Sequence, residues 1–222
     1  MNFFDSFYKK DKDQKKMNFS LEVGPHTDLE TLPPVKDVYV TMLPGGDYKE
    51  TAAKSGDLVK KGFNPVPHFP ARSILDEHQL KDFITRCKDV GTKQALVIGG
   101  SRDPIGKFDS SIQILETGFF EGIKIGIAGH PEGSPDISDK ELEKAMMDKK
   151  PYADYIVTQW LLDSQPIVDF ISKQSVPVHV GITGPMKISS LIKFANIVGA
   201  KNSINFLRSN FSKALDLLKP KD

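Results

Sequence analysis

Apolar and polar positions alternate along this chain in two distinct rhythms. Short runs of β type fall at 18–23, 37–42, 65–69, 95–99, 124–128, 155–159 and 178–182. Between them lie stretches with apolar residues at helical spacing, at 49–61, 76–90, 111–120, 139–149, 165–173 and 188–198, and 202–218 reads as one or two further helices. Strand and helix in strict alternation predict βαβ units and a parallel sheet. Right-handed crossovers repeated in one direction either close a barrel or build a doubly wound sheet. The Gly-x-Gly-x-x-Gly signature of dinucleotide-binding sheets is absent after the first strand, where Glu22-Val23-Gly24-Pro25-His26 stands instead. Polar residues follow nearly every strand, as in a site built from many strand ends. The expected fold is α/β, a TIM-type (β/α)8 barrel with seven strands identifiable and the eighth missing or truncated. The chain stops at Leu217-Leu218-Lys219-Pro220-Lys221-Asp222, where an eighth strand would begin. An open edge exposes unpaired strand groups, so a homo-oligomer is expected. Residues 1–222 read as a single barrel domain, with 1–16 as an N-terminal helical extension.

Composition narrows the function classes. Thirty Lys+Arg against 29 Asp+Glu give a net charge of +1, which offers no footprint for nucleic acid. No apolar run approaches the roughly 18–20 residues that span a bilayer, so no membrane is expected. Residues 1–16 lack the apolar core and small-residue cleavage site of a signal peptide, and a cytoplasmic location is the default. The single cysteine, Cys87, allows no internal disulfide. It falls in Leu80-x-x-Phe83-Ile84-x-x-Cys87, the spacing of an apolar helix face rather than of a nucleophile. No His/Cys/Asp cluster has metal-ligand spacing, so no metal is expected.

Several residues stand where a barrel houses chemistry. Glu22 interrupts an apolar run and points opposite to Leu21 and Val23 by the period of two, into the barrel interior. A carboxyl desolvated there has a raised pKa and can act as an acid near neutral pH. The alternatives are a buried, paired structural Glu, or an edge-strand Glu facing water. Asp103 follows the fourth strand in Ser101-Arg102-Asp103-Pro104 and can accept hydrogen bonds from an amidine-like ring edge. On its own it reads first as an Asx turn or helix cap before Pro104. Gln159 ends the sixth strand with an amide that both donates and accepts, or is a satisfied strand-end residue. The glycines of 181–185 suit a phosphate at a helix start, or a tight turn.

Two phrases carry a resemblance. Gly129-His130-Pro131-Glu132-Gly133-Ser134-Pro135 closes the fifth strand, and Ile156-Val157-Thr158-Gln159 with Asp163 closes the sixth. Together they resemble the methylenetetrahydrofolate reductase family, with its Y/H-P-E-G-x-P and I-x-T-Q-x-x-x-D segments. The resemblance runs from about residue 18 to about residue 200. It implies an enzyme of one-carbon metabolism and methionine biosynthesis, interconverting 5,10-methylenetetrahydrofolate and 5-methyltetrahydrofolate with NADH or NADPH through FAD. Glu22, in Leu21-Glu22-Val23-Gly24-Pro25, matches the family's general acid, with Val-Gly in place of two aromatics. Asp103 matches the pterin-binding Asp of R-G-D-P, while Arg102 is shifted by one position and Ser101 changes a flavin contact. Gln159 matches a residue that meets folate and nicotinamide in turn. Thr41 matches the V-T ending of the second strand, His68 in Pro67-His68-Phe69 matches a flavin contact, and His130 replaces a Tyr stacked near the flavin. Glu141, Lys144 and Lys149 stand only loosely where the family holds adenine and ribose contacts, and a charged helix face is as readily solvated. The altered contacts leave open whether FAD binds through other groups or hydride passes directly from nicotinamide to folate. A non-catalytic folate-binding subunit is the reading from another class. A phosphate-binding barrel lyase or aldolase is disfavoured, because no strand end carries a Schiff-base lysine.

Overall fold

Seven short strands, β1 Ser20–Val23, β2 Asp37–Val40, β3 Asn64–Pro70, β4 Gln94–Ile98, β5 Lys124–Gly129, β6 Tyr155–Trp160 and β7 Val178–Gly181, pair in parallel in the order β1-β2-β3-β4-β5-β6-β7. Each strand pairs with its sequence neighbours, so the sheet is wound in one direction. A doubly wound sheet would reverse its order partway, and this one does not. The computed structural model describes residues 18–101, 103–134, 137–161, 163–184 and 190. The expected N-terminal extension, Arg102, the helix at 188–198 and the helical stretch at 202–218 lie outside the described residues.

Helices α1 Tyr48–Lys60, α2 Glu77–Asp89, α3 Ser111–Leu115, α4 Asp139–Lys149 and α5 Ser164–Ile171 fill the crossovers. Their starts are set by side chains that accept from orphan backbone N–H groups. Asp47 accepts from Lys49 N, Asp76 from Gln79 N and Asp163 from Gln165 N, and Ser138 with Glu141 forms a capping box. The third helix is shorter than the expected 111–120. Glu116 caps it, the Thr117 hydroxyl turns back to Ile114 O at 2.7 Å, and Gly118 adopts φ 72°, which ends a right-handed helix. The fifth also stops early, at Ile171, with the Ser172 hydroxyl donating to Asp169 O.

The pleat sorts the strands into two faces. Outward residues Phe69, Val97, Ile125, Ile127 and Ile156 join Leu80, Phe83, Ile84 and Cys87 of α2 in the main apolar core. Cys87 is fully buried and its thiol is pushed up to about 12 by burial, so it is a packing residue, as its spacing suggests. Val23, Val38, Val40 and Leu58 form a smaller outer cluster. The inward face collects Tyr39, Val66, Leu96 and Tyr155 instead. Gly126 makes room there, since an added Cβ would lie 2.4 Å from the Tyr155 ring. The sheet curls far enough for β2 to meet β7 across the interior. The Tyr39 hydroxyl and Nδ1 of His179 share a hydrogen bond of 2.7 Å.

Candidate functional site

Every described residue that the strand-end motifs point to stands on an inward strand position or just beyond a strand's carboxyl end. Glu22 is paired in register with Tyr39, and Tyr39 with Val66, so Glu22 shares the inner face. His68 lies two residues further along β3, on that same face. The two side chains meet across β2, with His68 Nε2 at 3.8 Å from Glu22 Oε2. The His68 side chain is 9% exposed and that of Glu22 63%. Burial pushes the His68 imidazole down to about 4, which keeps it neutral through the physiological range. Surrounding protein raises the Glu22 carboxyl above the usual carboxylate range. Because Glu22 still reaches water at the rim of the concave face, that push is modest and not the one a closed interior would give. The desolvated carboxyl expected from its strand position is thus a rim carboxyl.

The remaining expected residues fall into separate groups around the same rim. Thr41 follows β2 and binds back to β1, its N–H and its hydroxyl both donating to Val23 O, at 2.9 and 3.2 Å. Ser101 and Asp103 are exposed on the loop after β4. Arg72, which the pattern of the sequence did not single out, fixes that loop. Its backbone N–H donates to Gly99 O, its Nε to Asp109 O at 2.8 Å and its Nη1 to Gly100 O. Ile105 N returns a bond to Arg72 O. Gly106 packs so closely on the preceding loop that an added Cβ would sit 1.9 Å from Leu75 O. A loop of many apparent degrees of freedom is therefore held by backbone bonds on both sides.

His130 and Gln159 stand at the neighbouring ends of β5 and β6, where Gly129 pairs with Thr158, and both are half-buried. His130 is held down to about 4, first by burial and then by the charge of Lys149. Of the three charged residues on α4 that the resemblance points to, Glu141 is used in the helix cap and Lys144 pairs with Asp148 at 2.5 Å. Lys149 differs. It is buried, its Nζ donates to Ala128 O at 3.4 Å, and burial lowers its pKa. Among the described residues no group of three or more His, Cys, Asp or Glu can hold a metal ion, and no helix is long and apolar enough to cross a membrane.

The expected flavin contacts meet the chemistry of such a ring unevenly. Thr41 already gives its hydroxyl to Val23 O, and His68 turns its Nε2 toward Glu22. Ser101 is exposed and His130 half-buried and neutral, so these two have the freedom to meet a ligand above the strand ends.

The inner wall holds polar aromatics that strand-end motifs do not reveal. Tyr155 stacks on His179 with centroids 4.6 Å apart and planes at 22°, and Tyr39 meets both His68 and His179 edge-on. Burial raises the phenols of Tyr39 and Tyr155 and lowers the His179 imidazole. The signal was present as a period of two: Tyr39 between Val38 and Val40, His179 between Val178 and Val180.

No family model matches the chain. Among solved structures, it is similar to an uncharacterized protein from Clostridium thermocellum that binds two copies of 5-methyl-5,6,7,8-tetrahydrofolic acid, with TM-score 0.56 and 12% identity over 90% of this chain and 82% of that one. A phosphonomutase candidate from Burkholderia cenocepacia J2315 matches with TM-score 0.54 and 10% identity, over 90% and 94% of the two chains. Tryptophan synthase from M. tuberculosis matches with TM-score 0.51 and 12% identity, over 82% and 80%. At such identities the likeness establishes the fold, a (β/α) barrel of the TIM type.

Proposed function

We propose that this chain binds a reduced folate at the carboxyl-terminal rim of its strands and interconverts 5,10-methylenetetrahydrofolate and 5-methyltetrahydrofolate, with a nicotinamide as electron partner. The observation that carries the reading is the gathering of Glu22, Thr41 and His68 on one side of the rim, with Gln159 and the tethered Asp103 loop standing at other strand ends of the same rim. These are the residues that the strand-end motifs assign to the methylenetetrahydrofolate reductase family. The binding of 5-methyltetrahydrofolate by a fold neighbour adds support of a general kind. In this reading Glu22 gives its proton to a folate nitrogen as the methylene bridge opens and hydride arrives at the carbon. Burial shifts the Glu22 carboxyl upward, in the direction that favours its acid form. Asp103 accepts from the amidine edge of the pterin, and Gln159 orients the ring that faces it. Ser101, Arg102 and His130 are the residues that would hold FAD, which when bound supplies a hydride relay between nicotinamide and folate.

Three measurements on the purified, dialysed protein test the proposal. Titration with 5-methyltetrahydrofolate should give saturable binding. Mixing NADH or NADPH with 5,10-methylenetetrahydrofolate should consume the nicotinamide. Flavin absorption bands should accompany that activity, and a colourless active protein would assign direct hydride transfer instead. Absence of both folate binding and turnover would overturn the reading.

A further inference from the structure

His68 presents a combination that a packing residue does not need. Its side chain is more than nine-tenths buried, and Nε2 is shielded from water with no hydrogen-bond partner among the described residues. A buried polar atom left in that condition costs about 1–3 kcal/mol. The nearest group with complementary chemistry is the Glu22 carboxyl at 3.8 Å, too far for a direct bond and near enough to close with a small side-chain shift or one bridging atom. The ring is kept in place by the edge of Tyr39, whose hydroxyl is in turn fixed on His179. We propose that His68 is a positioning residue for Glu22: its Nε2–H meets the Glu22 carboxylate as that group gives up its proton, so that the two side chains act as one acid unit. The chemistry of the step rests on the folate reading, whereas the coupling of the two groups does not.

The proton balance is simple. The Glu22 O–H bond breaks as an N–H bond forms on the substrate nitrogen, and the carboxylate left behind accepts from His68 Nε2–H. His68 keeps its proton throughout. Burial holds the imidazole neutral, so it neither repels an incoming cation nor competes as an acid. Tyr39 from β2 faces the pair and itself meets His179 from β7, Tyr155 from β6 and the charge of Asp37 at the foot of β2, and among the described residues no lysine or arginine forms an ion pair with Glu22.

The test separates coupling from catalysis. Glutamate labelled with ¹³C at its carboxyl is incorporated, the Glu22 signal is assigned by its loss in Glu22→Gln, and its titration is followed in wild type, His68→Leu and His68→Gln. The midpoint should move to higher pH in His68→Leu, because the ionised form loses its donor, and return toward wild type in His68→Gln, which keeps a side-chain N–H. His68→Asn, too short to span the gap, replaces His68→Leu should that variant fail to fold. In the turnover assay, kcat should fall about tenfold or more in His68→Leu, with the basic limb of its pH profile displaced in step with the NMR midpoint, and recover in His68→Gln. An unmoved midpoint, or one that His68→Gln does not restore, overturns the proposal whatever the turnover. A wild type that turns over no folate overturns the functional reading alone, because the midpoints still decide the coupling.

Discussion

The two faces of the same strands carry opposite chemistry. Phe69 points outward and is fully buried, with ring centroids 4.1 Å from Phe83 and 5.1 Å from Phe120. His68, its immediate neighbour, points inward with an imidazole nitrogen that has no hydrogen-bond partner among the described residues. One residue of sequence thus separates a place where apolar packing is complete from a place where polar groups are held incompletely satisfied. The outer face is closed by apolar packing and the inner face gathers polar side chains, and the period-two pleat keeps the two apart.

Breaking the outer face should have the largest effect. Phe69→Ala removes a fully buried ring and should cost about 3–5 kcal/mol in urea unfolding, with ligand binding lost only as the fold is lost. A cost under 1 kcal/mol would show that the outer layer is not the stabilising one. On the inner face, Glu22→Gln should lower folate turnover by about 10²–10⁴. It should leave the Tm unchanged or slightly higher at neutral pH. The sign follows from the raised folded-state pKa of Glu22, whose contribution is fully present at low pH and lost as pH rises through that pKa. A neutral amide removes that loss. Turnover within a few-fold of wild type would take the acid role from Glu22.

Smaller effects sharpen the contrast. Asp103→Asn should weaken folate binding by about 1.5–3 kcal/mol, the worth of a hydrogen bond to a charged group, with nicotinamide binding spared. Equal weakening of both ligands would make Asp103 a plain loop residue. Acid should act through the inner histidine. His68 binds its proton at about 4 when folded and near 6.5 when unfolded, so the unfolded chain takes the proton first as pH falls. Stability should therefore drop between pH 6.5 and 4, by up to about 1.4 kcal/mol per pH unit from this group. His68→Gln should flatten that slope in a series of denaturant melts, and an unchanged slope would assign the acid sensitivity elsewhere.

Much of the fold was legible because local rules agree with the global ones. The run 124–128 ends at Gly129-His130-Pro131, and β5 ends there too, because those residues favour a turn. The helix at 139–149 matches α4 because Ser138 and Glu141 cap it. The overlong reading of 111–120 failed where Gly118 takes a positive φ, a choice the apolar spacing does not encode. Of the candidate site, the placement of Glu22, Thr41, His68 and Gln159 at strand ends was legible from the strand pattern, whereas the meeting of Tyr39, Tyr155 and His179 was not. Their meeting depends on how far the sheet curls, a property of seven registers acting together and of no short segment. The approach of His68 to Glu22 has the same origin, since it requires β1, β2 and β3 to pair in one particular alignment.

The hydrogen bond from Tyr39 to His179 joins residues 140 positions apart. All strand pairing in the described sheet is between neighbours in the chain, so the sheet can zip up in order, each step closing only a modest loop. The bond across the interior can form only after those steps have brought both ends around. It is expected to form late in folding, when little entropy remains to be lost. Tyr39→Phe should accordingly raise the unfolding rate while leaving the folding rate nearly unchanged, and the clasp acts as a brake on opening and not as a guide to assembly.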